Sequence, residues 1–187
     1  MNEVLENTIT PCDSASRVIA NFYVQLGRDD WENARRIGIE RRDRDREEGI
    51  VELATHPEIC LDPDETATNY GAEMAAAMWL KVPFDENTDP RKALKFDLLF
   101  RGLKIDVKRP HVRAKALSIP PHTRDGWCDI YLVVQCVGRR YKVTGWMRAA
   151  EARTEKYWND GCAKPCWQVP FGDLRDPIDL LLAEGLP

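Results

Sequence analysis

Long apolar runs are missing from this chain. No stretch approaches the ~18 consecutive apolar residues of a membrane span. The amino terminus, MNEVLENTITPCD, is acidic and has no apolar segment of the secretory-signal kind. The expectation is a cytoplasmic protein with no membrane partner. Flexible linkers, internal repeats and low-complexity tracts are absent too, so the 187 residues are expected to form one domain. Within it, residues 1–60 read as a helical extension, 61–150 as the core and 151–187 as a carboxy-terminal extension. The composition, 43% hydrophobic and 31% charged, is that of an ordinary globular domain.

A general positive charge is also lacking. The net charge of −4 argues against a uniformly basic nucleic-acid binder, but it is unevenly spread. Residues 1–70 carry 8 Lys and Arg against 16 Asp and Glu, whereas residues 71–187 carry 19 against 15. The densest basic stretch runs from Arg101 to Lys115, with Asp106 as its only acid, and could hold a polyanion. Solvated lysines and arginines would give the same pattern.

Six cysteines are present, and in an intracellular chain reduced thiols are the default. Cys162 and Cys166, with His56 and Cys60, could supply four zinc ligands, although neither pair has the usual short spacing. Buried or incidental thiols are the plainer account.

Asp13 reads as the N-cap of a helix carrying Val18, Ile19, Phe22, Tyr23 and Leu26 and closed by Gly27. A second helix runs from Asp29 to before Pro57. Its centre, Glu40 to Glu48, alternates in charge and suggests a solvated surface. Asp62-Pro63-Asp64-Glu65 is a strong start for a third helix, reaching about Lys81. Its only charged residue between Glu65 and Lys81 is Glu73, in an apolar setting that demands a cation, a donor or a cleft.

The stretch KFDLLFRGLKIDVKRP, Lys95 to Pro110, reads as a hairpin turning at Arg101-Gly102. Opposed positions then sum to 203. One face collects Phe96, Leu98, Phe100, Leu103, Ile105 and Val107, and the other places Asp97 opposite Asp106, with Lys108 beside it. Like charges so placed destabilise a sheet by roughly 0.2–1 kcal/mol and call for compensation. A divalent cation would provide it, and so would neutralisation by Lys95, Lys104 and Lys108. Residues 111–127 read as an irregular connection. Two further strands turn around Val137-Gly138-Arg139, with Gln135 on the face of Tyr131 and Val133. A short extended piece at Trp167 to Val169 and a helix from about Asp176 close the chain.

A Glu on a buried helix, an Asp opening a strand, and Asp-Val-Lys on the next strand together resemble the PD-(D/E)xK nuclease superfamily. The matching residues are Glu73 in GAEMAAAMWL, Asp97 in KFDLLF, and Asp106 and Lys108 in KIDVKRP, with Phe96 and Asp106 where Pro and Glu are commoner. The resemblance covers roughly Asn69 to Met147. It implies an α/β, restriction-endonuclease-like core, with a mixed sheet of about four strands flanked by helices and extra amino-terminal helices. It further implies a deoxyribonuclease of the phage, mobile-element or repair kind, using Mg²⁺ or Mn²⁺ to hydrolyse phosphodiesters. Asp97, Asp106, the Val107 carbonyl and Glu73 would hold the metal, and Lys108 would orient or help deprotonate the attacking water. Gln135, Arg109, Arg113 and Lys115 are the substrate-contact candidates, DNA is the partner, and a homodimer would suit cutting of both strands. The rival is an inactive nucleic-acid- or protein-binding module on the same fold.

Overall fold

The computed structural model describes residues 17–20, 22–47, 63–89, 95–121, 123, 126–161 and 164–182. Asp13, the far end of the second helix, and the zinc candidates His56, Cys60 and Cys162 lie outside the described residues.

The first expected helix is instead a hairpin, β1 (Arg17–Ala20) and β2 (Tyr23–Gln25). Its Val, Ile, Phe and Tyr content suits a pleated surface, and pairing of β2 with a strand far along the chain satisfies backbone groups that a short isolated helix would leave to solvent. Helix α1 (Arg28–Glu47) follows as expected, with Asp29 and Asp30 in the first turn favouring the positive end of the helix dipole. Helix α2 (Pro63–Leu80) bears out the expected start and length. It stops where Lys81 takes φ +57: Val82 N–H donates to Ala77 O (3.0 Å) and Lys81 N–H to Met78 O (3.3 Å), a Schellman closure. The apolar reading of α2 holds, since Ala72, Met74, Ala75, Ala76, Ala77, Trp79 and Leu80 are all buried.

The hairpin Lys95 to Pro110 keeps its register. Strand β3 (Leu98–Phe100) pairs antiparallel with β4 (Leu103–Lys108) through Leu98↔Ile105, Leu99↔Lys104 and Phe100↔Leu103. Arg101 (φ +50) and Gly102 (φ +84) both take the positive φ that a type I′ turn requires, an uncommon conformation for arginine. The first strand is shorter than expected, because the chain bends at residues 95–97. Phe96 therefore packs with the opposite core from Leu98 and Phe100, against the alternation read from sequence.

The expected irregular connection contains strand β5 (Ala116–Ile119). Strands β6 (Ile130–Val137) and β7 (Arg140–Arg148) form the second hairpin as expected, followed by a short helix α3 (Ala149–Ala152). Strands β8 (Trp158–Asn159) and β9 (Cys166–Pro170) and helix α4 (Pro177–Leu182) complete the chain. The main sheet has six strands in the order β1-β2-β7-β6-β4-β3, more than the four expected; β5, β9 and β8 make a second, three-stranded sheet. All pairs are antiparallel except β4 with β6.

The protein is thus a mixed α/β fold, and its main sheet is covered differently on its two faces. On one, α2 crosses the strands and α1 packs on α2. Among the described residues the other is covered by the small sheet and α3, not by a second layer of long helices. Residues 130–134 of β6 are buried on both faces, each large aliphatic among them worth roughly 1.5–3 kcal/mol. Close approach of the helices requires Gly38, where a Cβ would collide with Thr66 and Tyr70. Among the described residues no helix is long and apolar enough to cross a membrane.

Candidate active site

The bend before β3 creates the site. Pairing with β4 ends at Leu98↔Ile105, yet β4 continues to Lys108, so its last residues present an uncovered edge on that side. Asp97 occupies this edge with its side chain. Its Oδ2 accepts a hydrogen bond from Val107 N–H at 2.6 Å, while its own N–H donates to Ile105 O at 2.9 Å. Asp97 does not face Asp106 as a ladder partner; its carboxylate takes the place of the missing strand. Because the N–H and C=O of a strand residue leave on the same side, the Val107 carbonyl opens to this edge as well. The second oxygen of Asp97 has no hydrogen-bond partner among the described residues.

Asp106 and Lys108 project from the face of β4 shared with their β6 partners Tyr131 and Val133. Lys108 Nζ stands 2.8 Å from Asp106 Oδ2 and 5.9 Å from the centre of the Tyr131 ring. Glu73 reaches the same neighbourhood from α2. Its partner among the described residues is Arg41, Nη1 to Oε2 at 3.8 Å.

Arg41 was hidden in the charged centre of α1 and is not solvated. Its Nε donates to Asn87 O (2.7 Å) and its Nη2 to Asp85 O (2.8 Å), and the guanidinium lies 5.0 Å from the centre of the Tyr70 ring. The sequence signal was its spacing: Arg41 continues the stripe Ala34, Ile37 and Gly38 that faces α2.

The electrostatics follow from this crowding. Burial first, and the charge of Asp106 second, push Asp97 up to about 7 despite the Val107 hydrogen bond. Burial, then the charge of Asp97, raise Glu73 well above the ordinary carboxylate range, with Arg41 opposing. Burial alone would lower Lys108, but the charge and hydrogen bond of Asp106 leave it above its usual value. Two acids raised by burial and by nearby negative charge, beside Asp106 and one lysine, form the kind of perturbed cluster that gathers at functional sites.

In comparisons with protein-family models, curated proteins and solved structures, nothing matches this chain.

The other candidates are dispersed. Arg109 turns back to α2, where Nε donates to Asn69 Oδ1 (2.6 Å) and Nη2 pairs with Glu65, so its fork is committed within the fold. Arg113 and Lys115 are exposed beyond the end of β4. Gln135 lies on the face of Asp106 and Lys108, about 7 Å along β6 from the partner of Lys108. Its Oε1 accepts from Thr144 Oγ1 at 3.1 Å. The linear basic run from Arg101 to Lys115 is therefore no single patch.

An oxygen-only donor set of this kind suits Mg²⁺ or Mn²⁺ over zinc. Among the described residues no three His, Cys, Asp or Glu side chains are gathered closely enough to enclose an ion by themselves. Mg²⁺ does not require that, because it commonly keeps several waters and uses one or two carboxylates. The under-bonded Asp97, adjoining Asp106 and the Val107 carbonyl meet that lesser requirement.

Proposed function

We propose that this chain is a metal-dependent nuclease with a restriction-endonuclease-like core, hydrolysing phosphodiester bonds in DNA. The observation that carries the reading is Asp97: a carboxylate raised to about 7, under-bonded, set on the free edge of β4 between Asp106–Lys108 and Glu73. Capping the edge of β4 uses only one oxygen of that acid, and a cation with an anionic substrate would relieve the rest.

Asp97, Asp106 and the Val107 carbonyl would hold Mg²⁺ or Mn²⁺, with Glu73 completing the surroundings directly or through water. Such an ion supplies charge neutralisation and an acidified water. The chain's own groups do the rest. Lys108 exchanges Asp106 for the substrate, orienting the attacking water with Nζ and balancing the charge that develops on the phosphoryl oxygens. Val107 N–H fixes one oxygen of Asp97, and the other would serve the ion. Arg41 is a positioning residue that holds Glu73 and the segment at Asp85 and Asn87.

The test is incubation with linear, circular, single-stranded and branched DNA in Mg²⁺, Mn²⁺ or EDTA. Cleavage with either metal and none in EDTA is expected. If folded protein cuts none of these, the second reading takes over: an inactive binding module on the same fold. The pairs Lys108–Asp106 and Arg41–Glu73, which neutralise the site without a metal, are what favour it. Cutting of both duplex strands would call for two centres, and sedimentation of the active species would show whether a homodimer provides them.

A further inference from the structure

Arg109 follows Lys108 at the end of β4, and its side chain reaches across to α2. Its Nε donates to Asn69 Oδ1 at 2.6 Å, and its Nη2 pairs with Glu65. Glu65, Asn69 and Glu73 stand four residues apart on α2 and so share one stripe of the helix. The stripe that carries Glu73 into the candidate active site is therefore held, one and two turns earlier, by the neighbour of Lys108. With 14% of the arginine side chain and 31% of the Glu65 side chain exposed, solvent screens this contact less than it would a surface pair.

What the contact fixes follows from the way α2 lies on β4. Arg109 is beside Glu65 and Asn69, while Glu73 feels the charges of Asp97 and Asp106, so helix and strand run antiparallel. The spans agree: Glu65 to Glu73 is about 12 Å along the helix, and Arg109 back to Asp106 is about 10 Å along the strand. Around Glu73 the helix enters the core mostly through Ala72, Ala75, Ala76 and Ala77, in one cluster with Ile105 and Val107. Alanines make shallow ridges that interdigitate weakly and resist sliding little. Tyr141 of β7 governs depth: its O–H donates to Thr68 O at 3.4 Å, over Gly71, where a Cβ would collide with it. Sliding along β4 is opposed by the planar fork of Arg109. Its two acceptors stand one helical turn apart, and a slip of one residue would misalign both.

We infer that Arg109 is a positioning residue for the candidate active site: by clamping Asn69 and Glu65 it fixes the register of α2 along β4, and so sets where the Glu73 carboxylate stands relative to Asp97 and Lys108. The inference rests on the nuclease reading for the reaction it serves, while the register itself does not. Arg109 then acts without touching DNA. A lysine in its place would keep the charge but replace the fork with a single flexible donor. Small displacements of α2 would matter, because misplacing a reacting group by about 1 Å can cost about 10²-fold in rate.

The first measurement needs neither metal nor cleavage. Amide NMR spectra of the full chain in EDTA are compared for the parent, for Arg109→Lys, and for the milder Glu65→Gln, which keeps an oxygen to accept from Nη2. Arg175→Gln, which breaks the pair with Glu151, is the control. Arg109→Lys should shift signals along α2 to Glu73 and across to Asp97 and Val107; Glu65→Gln should do so less, and the control not at all. Shifts confined to the neighbours of residues 65, 69 and 109 overturn the inference, as does an equal response from the control. Should Arg109→Lys fail to fold, Glu65→Gln decides alone. Cleavage in Mg²⁺ or Mn²⁺ by the same folded proteins is the second measurement. Arg109→Lys should lower kcat by about 10–100-fold and leave KM for DNA within about twofold, since no substrate contact is lost. In a Glu73→Gln background it should add little, because the group it positions is already gone. A raised KM with kcat kept, or full additivity with Glu73→Gln, overturns the role given to Arg109. The two readings fail separately. A parent that cuts, with shifts that stop short of Glu73, sinks the register and spares the nuclease, while a parent that cuts nothing, with shifts that reach Glu73, does the reverse.

Discussion

Two carboxylate clusters in this molecule differ in what surrounds them, and their acids shift in opposite directions. At the surface, Asp173 Oδ2 receives Lys156 Nζ (2.8 Å) and Tyr157 O–H (2.9 Å), and those hydrogen bonds hold it below its ordinary value. At the edge of β4, Asp97 has one backbone N–H, a second acid nearby and little water, and it is pushed up to about 7. The first arrangement is what stability alone would select. The second disfavours ionisation of buried acids, the state that the proposed cation would relieve.

The sharpest way to break this comparison is to neutralise charged groups of the β4 cluster one at a time and measure cleavage. Asp97→Asn keeps an oxygen to accept from Val107 N–H and removes the charge, and Lys108→Met removes the ammonium. Each should lower kcat by about 10²–10⁴, the range for loss of a positioned acid–base or electrostatic group. Retention of parental activity in folded Asp97→Asn would remove the basis of the nuclease reading.

Stability should respond to pH in a way that belongs to Asp97 and its neighbour Glu73. In the folded apo protein Asp97 keeps its proton to about pH 7, whereas in the unfolded chain it ionises near 4. The folded state therefore binds the extra proton. That contribution is fully present below about pH 4 and is lost as pH rises through about 7, and Glu73 adds in the same direction. Melting temperature in EDTA should fall from pH 5 to pH 8. Asp97→Asn should flatten the fall and melt higher than the parent at pH 8. Added Mg²⁺ or Mn²⁺ should stabilise the parent most at pH 8, where no proton must be displaced, and the variant hardly at all. A parent whose melting is indifferent to metal at both pH values would place Asp97 in a structural role.

Much of this geometry was legible in the sequence, and what was not has identifiable causes. The β3–β4 register was readable because alternation and a two-residue turn leave one pairing that keeps Leu98, Ile105 and Phe100 on one side. Helix α2 was readable from its start and its lack of charge. The β1–β2 hairpin was not, because the nine residues from Arg17 to Gln25, rich in Val, Ile, Phe and Tyr, satisfy either period and only the distant β7 decides between them. Strand β5 was obscured by flanking turn residues, and its partner lies some fifty residues later. The role of Asp97 depended on a bend that reverses Phe96, which no local pattern announces. Arg41 could have been found by treating the stripe Ala34, Ile37 and Gly38 as continuing into the charged run.

Arg41 gives a prediction of intermediate size. Arg41→Met removes the counter-charge of Glu73 and the donors to Asp85 O and Asn87 O, and loss of such half-buried partners costs about 1–3 kcal/mol. Melting temperature should fall, and cleavage should weaken because Glu73 is no longer held. Glu73→Gln in the Arg41→Met background should recover part of the stability, since the carboxylate then has no charge to leave unpaired. Absence of any recovery would mean that Arg41 acts through the segment at Asp85 and Asn87 and not through Glu73.

The smallest effect is expected at the matched cluster, and it is informative for that reason. Asp173→Asn leaves a side chain able to accept from Tyr157 O–H, and the Lys156 ammonium it releases is exposed and can be hydrated. Exposed pairs of this kind contribute little, because solvent screens them and ordering two side chains opposes their attraction. Asp173→Asn should therefore leave cleavage and metal response within error of the parent and lower the melting temperature at pH 8 only slightly. Any effect should appear as a slightly shallower dependence on acid, since Asp173 is the group whose lowered value makes it ionised in the folded state while the unfolded chain takes up protons. That slope has the opposite sign to the one from Asp97, so melts of the two single variants from pH 3 to pH 8 should diverge in opposite directions from the parent. If Asp173→Asn instead abolishes the metal response, the ion binds near Lys156 and Tyr157, and the division between a matched surface pair and an unmatched site at β4 fails.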